Sequence, residues 1–524
     1  MINNQATTRS DPPVTQRQLY MTVFFSGLVT LAVELSAFRL FAPVFGTSNL
    51  ISAIVIGLIL LYLAAGYTIG GRWADRSPYP LTLYRLLAWG AFLIGLIPFV
   101  ALPLLRVARD SLQNLGNLNV AIVALAFTVT LIVFAVPVTL MGCVSPFAVR
   151  LSMHDVAESG RTVGRLYAVS TLGSFIGSFL PELFLLDWFG TRGTFVFLAL
   201  LLLALALFYL KRAALKLIWM PIVLILLTLF VPLSFSNLAG TIYQGESGYN
   251  YIQVVERSGT RYLLLNEGQG IHSIYNPDRA FNGGTWDYFT LAPFFNAPPY
   301  DPGHMQRMAI VGLAGGSIAR LYTELYGPLP IDGIEIDPKI VEVGRDYFGM
   351  TQPNLNVIVG DGRTAMANSP HKYDVIALDA FRVPYIPWHL TTREFMQELR
   401  DHLTPDGVIA INVGRTRTDY QMVDAMAKTA AEVFPSVHVI DVAGSFNSIV
   451  YATNRPTSIE NLRANLSAMP APVQEVAGKA LERVLPLNPD ALTFTDDRAP
   501  VERLTNEIML SFLFGVGSGE IKLQ

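Results

Sequence analysis

Long apolar runs fill the first part of the chain, and alternating short ones fill the second. Seven stretches, about 19–41, 50–70, 83–105, 118–142, 165–187, 192–210 and 217–235, hold few charges. Each is near the roughly 20 apolar residues a helix needs to cross a bilayer core. Segments such as LLALALFYL and IVLILLTLFVPL have no polar face, unlike the buried helices of a soluble protein. The polar N-terminal tail lacks a charged region leading into a small-residue cleavage site, so the first helix reads as a retained anchor. Glu34, Arg39 and Glu182 fall within spans and are expected to pair or lie near an interface, a polar cavity being the alternative. Small residues in GYTIGG (Gly66, Gly70, Gly71) and GSFIG (Gly173, Gly177) suit close helix packing.

Beyond Phe235 the period changes. YNYIQVVE and TRYLLLNEG alternate around Ser258-Gly259, a hairpin signal. After Met305 strands and helices take turns: MAIVGLAGG, IDGIEID, LNVIVGDG, YDVIALDAF and GVIAINV predict five strands, with SIARLYTELY, KIVEVGRDYF and TTREFMQELRDHL as helices between them. The expected fold is an all-α membrane bundle of about seven helices followed by a Rossmann-like α/β domain of class I methyltransferase type, with a small β-hairpin region before it. The expected divisions are a tail at 1–18, a transmembrane domain at 19–237, a β-rich part at 238–304 and the Rossmann-like part at 305–524.

Charge sharpens the division. Residues 1–237 hold 15 Lys+Arg and 8 Asp+Glu, about +7, and the remainder holds 22 and 32, about −10. Eleven loop cations (Arg9, Arg17, Arg72, Arg76, Arg85, Arg150, Arg161, Arg165, Lys211, Arg212, Lys216) lie on the N-terminal side, against Arg106, Arg109 and Arg192 opposite. That places the N-terminus in the cytoplasm of a cell-membrane, multi-pass protein. Seven spans then put the second half outside, while an intracellular ligand favours the inside, and the side stays open. A net charge of −3 argues against a nucleic-acid partner. One cysteine, Cys143, and scattered histidines argue against a metal site or a disulfide framework.

Four strand ends carry candidate chemistry. Gly312, Gly315 and Gly316 let backbone approach a ligand. Glu335 is placed to bind a ribose diol, with a helix cap as the plain alternative for it or for Asp337. Asp361, in GDG with Gly362, is placed to accept from an exocyclic amine. Asp379 faces the reacting centre. In this order the set describes a site for an adenosyl sulfonium compound.

Residues 243–452 resemble the spermidine synthase family, the polyamine aminopropyltransferases. The resemblance rests on ESGYNYIQV, YLLLNEGQGIHS, VGLAGGSIAR, IEID, GDGR, YDVIALD and LTTREFMQELRDHLTPDGVIAIN. SGLVTLAVELSAFRLFAPVFG and GGRWADR resemble the membrane region fused to such domains in bacteria. The resemblance implies decarboxylated S-adenosylmethionine as co-substrate, an amine acceptor, methylthioadenosine as product, and no metal. It implies that Glu335 holds the ribose, Asp361 the adenine, and that Asp379 is the base; Asn250 stands where the family has Gln in its first strand. It places Gln269 and His272 at a Gln-containing turn, and Trp286-Asp287-Tyr288 at the family's Tyr-His-Glu. Departures are Ala314 for an acid in the glycine loop, and Arg382 three residues after Asp379. Arg382 would repel a polyamine or pair with a substrate carboxylate; Glu267, Asp287 and Asp496-Asp497 are candidate replacement acids, with Tyr288 and Tyr385 as walls. Two alternatives follow: a transferase using S-adenosylmethionine with a non-polyamine acceptor, and a transporter or sensor with a non-catalytic nucleoside-binding domain. A homodimer through exposed strands of the second half is a further expectation.

Overall fold

The computed structural model describes residues 14–504, apart from 46–48, 115–117, 154–158, 232–237, 267–269, 381–385 and 502. Gln269 and Arg382 lie outside the described residues, as do Glu267 and Tyr385. The chain divides into two compact units, meeting in sequence at Ser236 and Asn237.

The first unit contains α1 (Gln16–Phe45), α2 (Asn49–Arg76), α3 (Pro80–Asn114), α4 (Leu118–Ser152), α5 (Ser159–Leu180), α6 (Leu186–Leu210) and α7 (Trp219–Phe230). A π-turn at Pro181–Leu185 prolongs α5, and the chain breaks at Gly190, whose φ is 64°. Among the described residues six helices are long and apolar enough to cross a membrane. The seventh expected span is a shorter helix of 12 residues. A 3-10 turn at Lys211–Lys216 precedes it, and residues 232–237 after it are not described.

Glycine governs how closely these helices meet. A Cβ on Gly173 or Gly177 would collide with the backbone carbonyls of Phe24 and Leu28, so α5 lies almost backbone to backbone on α1. A Cβ on Gly70 would sit 2.6 Å from the Cα of Cys143, and Gly66 meets Gly142 in the same α2–α4 contact. Gly71, by contrast, faces open space. Some hydroxyls within the bundle return to their own helices, as Ser36 does to the carbonyl of Ala32 (2.7 Å) and Thr130 to that of Ala126 (2.6 Å), while Ser174 of α5 donates across to the Gly27 carbonyl of α1 (3.1 Å).

The contacts also fix direction. Phe24 and Leu28 meet Gly173 and Gly177 in that order, so α1 and α5 run parallel. Tyr84 stacks near Tyr209 and Gly95 meets Ala199, so α3 and α6 are antiparallel. Trp219 packs on Trp89 and Phe92, and Leu224 on Gly95, so α7 runs with α3. At its end Arg192 donates to the carbonyls of Thr228 (2.8 Å) and Val231 (2.5 Å). A cation there satisfies carbonyls that a helix terminus leaves free and complements its dipole.

The second unit opens with an antiparallel sheet, β1 (Thr241–Glu246), β2 (Tyr251–Arg257), β3 (Thr260–Leu265) and β4 (Ile271–Tyr275) in sequence order. Ser258 and Gly259 both take positive φ (49° and 75°), the two-residue turn that matches strand twist. After α8 (Thr285–Phe289) the doubly wound part follows: β5 (Met308–Val311), α9 (Ser317–Tyr326), β6 (Ile331–Glu335), α10 (Pro338–Tyr347), β7 (Leu355–Val359), α11 (Gly362–Ala367), β8 (Tyr373–Leu378), α12 (Arg393–Asp401) and β9 (Leu403–Gly414). Then come α13 (Gln421–Ala431), β10 (Ser436–Asp441), β11 (Asn447–Thr453), α14 (Ile459–Ala464), α15 (Ala471–Leu481) and β12 (Val484–Leu485).

These strands form one eight-stranded sheet in the order β12-β10-β11-β9-β8-β5-β6-β7. The five strands expected from the pattern are the parallel ones; β10, β11 and β12 join antiparallel at one side. All four β5 residues are buried, as a strand covered on both faces requires. Phe289, Phe294 and Tyr322 fill one face of the sheet, and Phe395, Met396 and Phe434 the other. Because β5 passes to β6 on one side and neighbours β8 on the other, the topological switch point lies at its carboxyl end.

Candidate functional site at the carboxyl ends of β5, β6 and β8

The turn after β5 is shaped by what it must approach. Gly312 has φ +90°, and a Cβ there would lie 2.5 Å from the carbonyl oxygen of Asp379. Only glycine lets β5 and β8 end in that contact. Ala314 also takes positive φ (48°), and its N–H donates to Glu335 Oε2 (2.9 Å). The Gly315 N–H donates to Ser273 Oγ (2.8 Å), tying the turn to β4, and Gly316 opens α9.

Glu335 ends β6 at 6% exposure, and the N–H of Asp337 reaches its second oxygen (3.1 Å). Burial pushes its carboxyl up to about 7, against the pull of these N–H groups. One lone pair on each oxygen is used, leaving capacity for two further donors such as a ribose diol. Asp337 caps α10 through the Lys339 N–H (2.9 Å) and clasps Ser247 Oγ (2.5 Å) and Asn250 Nδ2 (3.0 Å). Asn250 in turn accepts from Asn266 (3.1 Å). Both residues therefore fasten the turn before β2 to the main sheet.

Asp361 caps α11 through the Thr364 N–H (2.9 Å), just before Gly362, and its other oxygen meets His389 Nε2 (2.8 Å). Burial raises its carboxyl, but Thr364 and His389 outweigh burial and hold it below the usual range. His389 had no signal in the sequence, since it lies 28 positions away.

Asp379 follows β8 and is half-buried, with a donor on each carboxylate oxygen. Trp286 Nε1–H donates to its Oδ2 (2.9 Å), and Asn412 Nδ2–H to its Oδ1 (2.8 Å). Burial pushes its carboxyl up to about 6, and the two donors restrain the rise. Asn412 was not among the expected site residues, and Trp286 was noted only at the family's Tyr-His-Glu position, not as a partner of Asp379.

The proposed acceptor residues divide. Asp287 is 1% exposed, and its carboxylate gathers the N–H groups of Gly283 (2.6 Å) and Asn282 (3.3 Å). Burial raises it to about 6, opposed by those N–H groups. Tyr288 is buried, its hydroxyl accepting from the Ala443 N–H (3.0 Å). His272 Nε2 is buried without a partner among the described residues, and burial lowers the ring to about 4. Asp496 forms a two-point pair with Arg363 (2.8 and 2.9 Å) and accepts from Thr392 (2.7 Å), so it braces α11 and α12. A buried pair that the sequence reading missed, Arg415 with Asp441 (2.9 Å), lies where β9 and β10 end. Among the described residues no group of three or more His, Cys, Asp or Glu is placed to hold a metal.

The second unit is thus a doubly wound α/β domain with carboxylates at the carboxyl ends of its central strands, the layout of a nucleotide-binding site. The profile of the spermine/spermidine synthase domain matches residues 301–443. A polyamine aminopropyltransferase of Vibrio vulnificus is 31% identical over 270 residues, covering 49% of this chain and 87% of that protein. A probable polyamine aminopropyl transferase of Bifidobacterium longum is 30% identical over 288 residues, which span 51% of this chain and 62% of that one. A probable spermidine synthase structure from Corynebacterium glutamicum aligns with a TM-score of 0.38 at 19% identity, over 49% of this chain and 98% of that one. The chain belongs to the spermine/spermidine synthase family of polyamine aminopropyltransferases.

Proposed function

We propose that the second unit transfers an aminopropyl group from decarboxylated S-adenosylmethionine to an amine. The observation that carries this is Asp379, half-buried beside the glycine turn with both oxygens held by donors. In the reaction the acceptor nitrogen forms a bond to the methylene next to sulfur. The carbon–sulfur bond breaks, its electron pair stays on sulfur, and methylthioadenosine leaves. The nitrogen sheds a proton, and Asp379 takes it. A group poised near neutrality suits that task, because it is ionised before the step and competent to hold the proton after it. Glu335 binds the ribose diol, and Asp361 with His389 faces the adenine edge. Supplying putrescine and the decarboxylated cofactor to purified protein is expected to release methylthioadenosine. Binding of the nucleoside without any thioether product, whatever the amine, would refute the proposal.

A second reading keeps the donor site and changes the acceptor, and one observation favours it. Asp287, a candidate replacement for the family's acceptor-binding acid, spends its carboxylate on backbone N–H groups. An acceptor carrying one amine would need no second carboxylate. A panel of monoamines and diamines separates the two readings.

The first unit is proposed to anchor the protein in the cell membrane. Support comes from six long apolar helices and from outward faces rich in large apolar side chains, such as Leu61 and Phe175 (each 61% exposed). The parallel run of α3 and α7, with Arg192 closing α7, favours a short seventh crossing. With the loop cations holding the N-terminus inside, the chain then leaves the bundle on the outer side. The lone cysteine, Cys143, is 1% exposed, so accessible cysteines can be introduced singly. Impermeant maleimide on intact cells is expected to label Glu460→Cys and not Leu215→Cys. The reverse pattern would place both the second unit and the crossing count on the other account.

A further inference from the structure

Asp379 sits at the head of a directed chain of side chains. Asn412 Nδ2–H donates to it, Asn447 Nδ2–H donates to Asn412 Oδ1 (2.8 Å), and Ser445 Oγ–H donates to Asn447 Oδ1 (2.8 Å). The Ser445 carbonyl accepts from Arg415 Nη2 (3.3 Å). Facing an ionised Asp379, which only accepts, each amide turns its NH2 toward Asp379 and its oxygen toward Ser445, so the chain then has one sense. On the other carboxylate oxygen, the Trp286 indole is a donor with no acceptor capacity.

We propose that Trp286, Asn412 and Asn447 form a one-way cradle that positions Asp379 and holds it as an ionised acceptor, with Trp286 and Asn447 acting as positioning residues. This deepens the transferase reading and rests on it. Both oxygens meet only donors, so a proton on Asp379 finds no acceptor in either partner. The ionised form gains two hydrogen bonds, one of them backed by aligned amide dipoles that polarise one another. That counters the burial which would otherwise leave the acid protonated. Neither an indole nor an amide passes a proton on. The proton taken from the amine therefore stays on Asp379 until it departs on the ligand side.

The charged groups on neighbouring elements do not replace the cradle. Asp287 on α8 is bound to the backbone at 282–284, with Lys479 beyond it. Glu335 lies across the glycine turn on β6, bonded to Ala314 and Asp337. Arg415 and Asp441, where β9 and β10 end, pair with each other. Among the described residues, only Trp286 and Asn412 donate to the Asp379 carboxylate.

The test follows the protonation of Asp379 directly and needs no turnover. Difference infrared spectra of the full-length protein against Asp379→Asn, taken from about pH 4 to about pH 8, report its carboxylic acid band. Trp286→Phe removes one donor and is expected to raise the midpoint by about one unit or more. Trp286→Tyr, whose hydroxyl can donate, is expected to bring it back toward wild type. Asn447→Asp makes no contact with Asp379 and keeps its volume. It can no longer donate to Asn412, so that amide turns its oxygen toward Asp379, and the midpoint is expected to rise again by about one unit. Should Trp286→Phe fail to fold, Asn447→Asp carries the test. Midpoints within about 0.3 unit of wild type in the folded variants overturn the cradle. A shifted midpoint in a protein that releases no methylthioadenosine leaves the cradle standing and removes the transferase reading.

Discussion

Replacing Glu335 by Gln tests the donor site through a ligand that undergoes no reaction. The carboxyl is raised to about 7 by burial, so it is mostly protonated below that pH and ionised above it. At pH 6 about one tenth is ionised and at pH 8 about nine tenths, by simple titration about that value. Two ribose hydroxyls donate to the ionised form, so binding strengthens as pH rises. Methylthioadenosine should bind about tenfold more weakly at pH 6 than at pH 8 in the wild type. Its own ionisations lie outside that interval. In Glu335→Gln the slope should vanish, and affinity at pH 8 should fall roughly 10- to 100-fold, the worth of a hydrogen bond to a charged group at about 1.5–3 kcal/mol. Calorimetry at the two pH values measures both effects, with Asp379→Asn as a control for the other acid. The amide also turns one NH2 toward the N–H of Ala314 or Asp337, so a melting curve must show that the variant is folded. A flat wild-type profile, with Glu335→Gln within twofold of it, would falsify the ribose assignment.

Three further outcomes are expected. Gly312→Ala puts a methyl 2.5 Å from the Asp379 carbonyl at a φ of +90°, and should destabilise the second unit by more than about 2 kcal/mol, seen as a lower melting temperature and weaker nucleoside binding. Asp361→Asn and His389→Ala should be non-additive in methylthioadenosine affinity, with a coupling of about 0.5–1 kcal/mol for a partly exposed pair; full additivity would separate the two residues. Gly173→Leu cannot fit against the Phe24 carbonyl, so α1 and α5 must part, and the detergent-solubilised protein should aggregate while Gly71→Leu, facing open space, remains monodisperse.

Much of this architecture was legible in the sequence because it depends on periodicity. The apolar runs marked the helices, and the pairs Gly66/Gly70 and Gly173/Gly177 marked where they touch. The five parallel strands and the acids at their ends followed from alternation and order. What escaped depends on distance. Trp286 and Asp379 are 93 positions apart, and no local pattern ties an indole to a carboxylate. Asn412 and Asn447 look like ordinary strand-edge amides until β9 and β11 pair side by side and bring them together. SVHVID and NSIVYAT alternate well but have no helix between them, so a reading built on strand–helix alternation passes over an antiparallel pair. Asp287 was misleading for the opposite reason. It stands one position before the family's substrate acid and was a candidate replacement for it, but the preceding Asn282-Gly283-Gly284 turn offers backbone N–H groups within reach, and those capture it first. The seventh apolar run, 217–235, reads as a span on composition, but its helix, Trp219–Phe230, is 12 residues and shorter than the six long ones.

The central claim is that Asp379 serves as the base in aminopropyl transfer. The most direct measurement is single-turnover release of methylthioadenosine from decarboxylated S-adenosylmethionine, with saturating amine, by wild type and Asp379→Asn. Asn keeps the size and the contact with Trp286 but cannot take the proton. The account predicts a rate lower by about 100-fold or more in the variant, with nucleoside affinity within a few-fold of wild type. Equal rates in the two proteins would contradict it.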